Sequence, residues 1–413
     1  MLPKVPLAIR AVDDFAGAAG ADAVERLREA ARPLRGARVL HINSTAFGGG
    51  VAELLAAQLP VLRDLGIDAE WAVVQGSEEY FAVTKAVHNA LQGAEIAWTE
   101  AMRRIYWERT LENARLLNEA YDFVFVHDPQ PAGILEVVEA DGRRAGRWLW
   151  RCHIDMSAPY EPVWMFFAPL VDRFDAAIFT MQEFVQPGLR HPIEALIAPS
   201  IDPLSAKNRP LDMTIVDGIV RNYGIDADRP MMAQISRFDP WKDPLGAIDA
   251  FLLAREQIPR LQLLMVGSLA DDDPEGRHYM EVTAAHADGD PDIHLLTNLD
   301  GVGDLEVNAF QREADVIVQK SKREGFGLVV AEAMWKGKPV VGGAVGGIRL
   351  QIEDGVTGFL VESAEGCAKR VEELFRDGEL SARLGAAGRQ RVRERFLTTR
   401  EVEDQLRLMA RIS

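Results

Sequence analysis

Short apolar runs separated by stretches of helical period organise this chain. In the first half the runs are Arg38–Asn43, Glu70–Val74, Phe123–His127, Trp148–His153, Ala176–Thr180 and Ala195–Ala198. Between them, segments such as Val51–Leu65 and Glu100–Ala120 place apolar residues every three or four positions, the signature of an amphipathic helix. The segment Pro199-Ser200-Ile201-Asp202-Pro203 is bounded by prolines and predicts a hinge. Beyond it the alternation restarts, with runs at Met231–Ser236, Gln262–Gly267, Ile293–Thr297, Val316–Gln319, Pro339–Gly342 and Gly358–Val361. Continuous apolar strands alternating with helices predict parallel sheets covered on both faces, so the fold class is α/β. Residues 1–36 read as an extension with one amphipathic helix, Asp22–Ala31. At the other end Leu384, Val392, Phe396, Val402, Leu406 and Met409 recur at roughly helical spacing over Glu379–Ser413, predicting a helical tail packed on a domain surface. The domains expected are therefore 1–203, 204–390 and a helical tail, 391–413, returning to the first domain.

In open parallel sheets, ligands bind beyond the carboxyl ends of the strands. Several ends carry chemistry here. After Val316–Gln319 comes a loop with Glu324, Gly325, Phe326 and Gly327, then a helix from Leu328 that carries Glu332. Glycines let the backbone approach a ligand, and free N–H groups at a helix start suit a phosphate. Two carboxylates beside an anion site fit hydroxyl binding, as a sugar and a ribose on either side of a diphosphate would require. After Met231–Ser236, the loop carries Arg237 and Lys242, two cations suited to a diphosphate leaving group. In the first half, Gly48, Gly49 and Gly50 lie between a strand and a helix and suit a loop over phosphates or acceptor. They lack the spacing of a dinucleotide fingerprint and its acidic ribose partner, which disfavours a nicotinamide dehydrogenase. His127 with Asp128, and His153 with Asp155, form two histidine–acid pairs at strand ends, without the spacing of a metal site. Asn298 follows another strand and is a candidate donor contact.

Composition narrows the partners. With 413 residues, 48% hydrophobic and 26% charged, the chain reads as a two-domain globular protein. A net charge of −17 disfavours nucleic acid and anionic membranes, so phosphate binding must rest on local cations. Two distant cysteines, Cys152 and Cys367, predict free buried thiols and a reducing cytoplasm. No signal peptide or membrane-length apolar run is visible. The acidic run Asp271–Asp273 reads as a solvated loop, and no metal site is expected.

The pair Glu324 and Glu332 within EGFGLVVAE, with Arg237 five residues ahead of Lys242, resembles the retaining glycosyltransferases of the two-Rossmann-domain (GT-B) type. HINSTAFGGGVAELL, WLWRCHID and SKREGFGLVVAEAMWKGKPVV carry a closer likeness to the glycosyl-transferring trehalose synthases. The resemblance implies two Rossmann-like domains facing across a cleft, and transfer of glucose from a nucleoside diphosphate glucose (ADP- or UDP-glucose) to free glucose. The product would be α,α-1,1-trehalose, in a reversible reaction with retention and no required cofactor or metal, magnesium having no support in the sequence. It further implies that Glu324 meets donor-glucose hydroxyls, that Glu332 meets the ribose, and that the N–H groups of Gly325, Phe326, Gly327 and Leu328 meet sugar and phosphate. Arg237 and Lys242 would stabilise the leaving diphosphate and His153 would sit near the transferred sugar. Gly48–Gly50 would close over phosphates and acceptor, with Asp155 an acceptor contact and His127 on the same side. A homodimer is also implied. Trehalose phosphorylases share much of the pattern, which keeps glucose 1-phosphate as an alternative donor, and a non-catalytic sugar or nucleotide binder is the reading from another class. The family often has glycine after the motif's lysine, where this chain has Asp243 and Pro244, a carboxylate beside the cation.

Overall fold

The computed structural model describes residues 1–190, 192–269 and 274–413. The acidic run Asp271–Asp273 lies outside the described residues. The chain forms two compact units, one of Met1–Ser200 with Thr398–Ser413, the other of Ile201–Leu397.

The first unit is built on six parallel strands, β1 (Arg38–Asn43), β2 (Asp68–Val73), β3 (Phe123–His127), β4 (Arg147–Arg151), β5 (Ala176–Phe179) and β6 (Ile193–Leu196). Their order across the sheet is β2-β1-β3-β4-β5-β6. Side chains alternate across a strand, and the two faces differ in chemistry. Leu40, Ile42, Val124, Val126, Trp148 and Trp150 enter a large apolar core with Val83, Val87 and Phe167 from covering helices. On the other face Phe125, His127, Arg151 and Ile178 lie under Leu54, Leu55 and Gln58 of the helix Gly50–Asp64 and under Glu401 and Gln405 of the helix Thr398–Ile412.

The second unit repeats the plan with β7 (Met231–Ile235), β8 (Gln262–Gly267), β9 (Ile293–Thr297), β10 (Val316–Gln319), β11 (Val340–Gly343) and β12 (Phe359–Val361). The parallel order is β12-β11-β10-β7-β8-β9. Each sheet therefore reverses its winding once, between β1 and β3 in the first unit and between β7 and β10 in the second. Loops leaving adjacent strands at such a reversal diverge and open a crevice for a ligand.

Two expectations need correction. The tail is not one helix: Gly378–Arg395 ends at Phe396, and a second helix, Thr398–Ile412, belongs to the first unit. There Arg26 reaches Glu403 at 3.2 Å and Gln405 donates to Gln58 at 2.9 Å. Helical spacing alone does not register such a break, because the period resumes after two residues. The last strand of the first sheet is Ile193–Leu196 rather than Ala195–Ala198. As an edge strand with Ile193 and Leu196 exposed, it lacks the apolar contrast that marks a buried strand.

Candidate active site

In the second unit, the crevice between β7 and β10 receives the loops that carry the candidate donor residues. The loop after β7 is shaped by Asp239, whose carboxylate accepts the N–H groups of Trp241 (2.9 Å) and Lys242 (3.1 Å) and holds Arg237 at 3.2 Å. This turn presents the Lys242 ammonium to Glu324 of the β10 loop at 2.6 Å. Ser321 adds its hydroxyl to the same carboxylate oxygen at 3.2 Å. Arg237 remains largely in solvent. Asp243 adopts the left-handed conformation at φ 50°, which explains why a glycine suits this position. Its carboxylate turns away from Lys242 to pair with Lys320 and, at 2.8 Å, with Lys322. Burial works to raise its pKa, but these two lysines outweigh burial and hold it below the ordinary aspartate range. The carboxylate that the sequence set beside the motif's cation is thus neutralised elsewhere.

The glycine loop is fixed from behind. Gly347 donates its N–H to the Glu324 carbonyl at 3.0 Å, and the Gln351 amide donates to the carbonyls of Phe326 and, at 3.2 Å, Gly327. Gly327 caps the helix Leu328–Trp335 at φ 82°. With the carbonyls of 326 and 327 turned onto Gln351, the N–H groups of Gly325, Phe326, Gly327 and Leu328 have no acceptor among the described residues. They form a row of donors at a helix start, an anion-binding arrangement. One turn and a half further on, Glu332 is buried, with Gln311 at 3.4 Å and Lys207 at 3.7 Å. Its Oε1 has no hydrogen bond, so a ligand hydroxyl would have an acceptor there. Asn298 is otherwise engaged, its amide bonded both ways to the backbone of Leu269 at 2.7 and 3.0 Å.

In the first unit, β1, β3 and the chain after β4 bring three imidazoles into a row. His41 Nδ1 lies 3.0 Å from His127 Nε2, and His127 Nδ1 lies 2.9 Å from His153 Nε2. Burial lowers all three pKa values, that of His41 to about 3. The neighbouring Arg151 cation pushes His127 and His153 down further. Asp128 takes a left-handed conformation at φ 63° and accepts the His153 N–H at 2.8 Å, which turns the chain out of the sheet after β4. Burial raises the Asp128 carboxyl to about 7, against the opposing pull of that N–H and of Arg151. Asp155 is buried and accepts both the N–H and hydroxyl of Ser157. Gly48 is left-handed at φ 76° and Gly49 and Gly50 begin the helix Gly50–Asp64, with Phe47 beside them 82% exposed. Both thiols are buried and their pKa values raised, Cys367 to about 12, so neither is an activated nucleophile. Among the described residues no group of three or more His, Cys, Asp or Glu could hold a metal ion.

Sequence reasoning missed Lys207, Gln311, His41, Arg151 and Glu401. The last two face each other at 3.5 Å, both almost wholly buried. The available signal was a histidine and an arginine inside otherwise apolar strands, where a polar side chain must meet a partner.

The model of the family described as "Trehalose synthase, N-terminal domain" matches residues 41–186, and that described as "Glycosyl transferases group 1" matches residues 217–391. A trehalose synthase of Rubrobacter xylanophilus is 47% identical over 415 residues, covering all of this chain and 99% of the relative. The chain belongs to the trehalose synthase family. A trehalose phosphorylase of Pleurotus pulmonarius, 27% identical, covers 91% of this chain but only 57% of its own length. Among solved structures, an α,α-trehalose-phosphate synthase (UDP-forming) from Burkholderia xenovorans in complex with glucose-6-phosphate matches with TM-score 0.72 and 14% identity, over 92% of this chain and 100% of the other. At that identity the likeness speaks for the fold, and this trehalose synthase relative has the GT-B architecture. Among the described residues no helix is long and apolar enough to cross a membrane.

Proposed function

We propose that the protein is a retaining hexosyltransferase that makes α,α-1,1-trehalose from a nucleoside diphosphate glucose, ADP- or UDP-glucose, and free glucose, reversibly and in the cytoplasm. The observation that carries this reading is the second unit's pairing of Lys242 and Glu324 beside a run of N–H groups without acceptors. Cation and amides suit a diphosphate, while Glu324 and the unbonded oxygen of Glu332 suit hydroxyls of the sugar and the ribose. Arg237, largely in solvent and paired with Asp239, supplies a second cation for the departing phosphate. In the first unit, the family resemblance assigns His153 to the transferred sugar and Gly48–Gly50 and Asp155 to the acceptor side.

In the reaction the anomeric C1–O bond to the diphosphate breaks as the acceptor hydroxyl oxygen bonds to C1 from the same face. The acceptor proton passes to the leaving phosphate oxygen. Charge accumulates on that phosphate, where each well-placed donor contributes about 3 kcal/mol to the transition state. Burial and the Arg151 cation hold the His153 pKa well below the ordinary range, so its neutral imidazole is a weak base for the acceptor proton. Glu324 is bound to Lys242 and Ser321, which suits positioning rather than nucleophilic attack.

The test is direct. The purified protein, incubated with ADP- or UDP-glucose and glucose, should form a non-reducing disaccharide whose two anomeric protons show α couplings. Product formed only from glucose 1-phosphate would transfer the assignment to a phosphorylase, the reading that the distant fungal similarity keeps open.

A further inference from the structure

The histidine row contains more than the residue assigned to the sugar. His41 is fully buried on β1 and stacks on Phe125 at 4.4 Å with the rings nearly parallel. His127 is buried at the end of β3, and only His153 is partly exposed. The β1–β3 neighbours share one face at the winding reversal, so the row runs from the sheet interior outward. Charged groups around it are Arg151, Asp128 and Glu401.

Three neutral imidazoles carry three N–H groups, and the two inter-ring hydrogen bonds consume two of them. The third must lie at one end. In one arrangement every ring is protonated on Nδ1: His41 donates to His127, His127 donates to His153, and His153 Nδ1–H points outward. The reverse arrangement protonates every Nε2 and leaves the His41 Nε2–H buried. That nitrogen has no hydrogen-bond partner. Buried donors without an acceptor are rarer in folded proteins than bare acceptors. The remaining nitrogen of His153, Nδ1, has no partner among the described residues and is not buried.

We infer that His41 and His127 are positioning residues that lock His153 as an Nδ1–H hydrogen-bond donor toward the bound donor substrate. The lock is mechanical in the sense that one tautomer cannot change without the other two. An isolated imidazole prefers the Nε2–H form, so the row enforces the less favoured tautomer at the one ring that meets solvent. The second half of the inference, toward substrate, rests on the proposed function; the first half does not.

Long-range ¹⁵N–¹H correlation spectra of the full chain labelled with ¹⁵N-histidine, assigned by single His→Gln variants, read the tautomers directly. His153 should show a protonated Nδ1 and a bare Nε2 in the free protein, and stay neutral below the ordinary histidine range. In His127→Phe it should revert toward the Nε2–H form. A wild-type His153 protonated on Nε2 overturns the inference without any variant having to fold, as does an Nδ1–H form that persists in His127→Phe. Adding UDP with glucose, or ADP with glucose, should then shift the His153 Nδ1 resonance. A correct tautomer with no shift under either saturating mixture would keep the row and remove His153 from the donor site. His127→Phe should also lower turnover at least tenfold with KM for glucose within twofold. Wild-type turnover in a variant whose His153 tautomer has changed would overturn the functional half.

Discussion

The Glu324 carboxylate and the Lys242 ammonium meet at 2.6 Å, and they arrive from loops on two strands, β10 and β7, that are far apart in sequence and adjacent in the sheet. Each holds the other in a largely buried position. Removing either therefore changes charge, position and stability together, whereas Arg237 stands outside this pairing.

That difference gives a paired prediction. Lys242→Ala should lower kcat by about 10²–10³-fold, the effect of losing one well-placed donor. It should also cost on the order of 1–3 kcal/mol of stability, since Glu324 is left with Ser321 alone. Arg237→Ala should show a similar loss of turnover with stability changed by less than about 0.5 kcal/mol, its side chain being 56% exposed. Urea unfolding and steady-state rates on both variants check this; equal stability losses would place Arg237 in the folded framework.

Glu332 predicts a different kinetic signature. Its Oε1 is buried, lacks a hydrogen bond and lies 3.7 Å from the Lys207 ammonium, and the proposed function assigns it to a hydroxyl of the nucleotide. Glu332→Ala should raise KM for the nucleotide-glucose about tenfold or more with a smaller change in kcat, as expected for binding felt equally in ground and transition states. A fall in kcat at unchanged KM would move Glu332 into the chemical step.

The backing of the glycine loop can be tested at Gly347. A methyl there would lie 2.4 Å from the Cα of Phe326 and 2.6 Å from the Gly325 carbonyl oxygen, both backbone atoms that cannot rotate aside. Gly347→Ala should cost about 1–3 kcal/mol and weaken nucleotide binding by moving the 325–327 loop. Gly378→Ala, where nothing lies within 4 Å, is the control and should leave both unchanged. Calorimetric titration with ADP or UDP separates the loop effect from general destabilisation.

Stability should depend on pH through opposing groups. The folded protein keeps Asp128 protonated up to about 7, whereas the unfolded chain loses that proton near 3.8, so raising pH across this window destabilises the fold. His41, His127 and His153 act in the opposite sense. They stay neutral when folded but protonate near 6.5 when unfolded, so stability falls as pH drops below 6.5. Asp128→Asn retains the acceptor for the His153 N–H and tolerates the left-handed backbone. It should become more stable relative to wild type between pH 5 and pH 7, by about 1.4 kcal/mol per pH unit, and level off above. A pH-independent difference from urea unfolding would show that the carboxyl ionises normally.

Much of this protein was determined along the chain itself. Apolar runs of four to six residues specify strands buried on both faces, and their alternation with helical spacing permits only parallel sheets. The loop and helix that carry Glu324, Gly325–Gly327 and Glu332 were equally legible, because these residues are close in sequence and follow an apolar strand. What the chain could not display is proximity across strands. That Asp243 would bind Lys320 and Lys322 and so leave Lys242 to Glu324 depends on β7 lying beside β10. That His41, His127 and His153 would form one row depends on β1, β3 and β4 lying side by side with those residues on one face. The pairing of Glu401 with Arg151 needs the final helix to pack in the first unit rather than the second. Periodicity fixes which face of an element is apolar. Only the packed sheet decides which isolated polar groups share that face, and the cost of burying a charge or an imidazole alone is what makes those meetings obligatory.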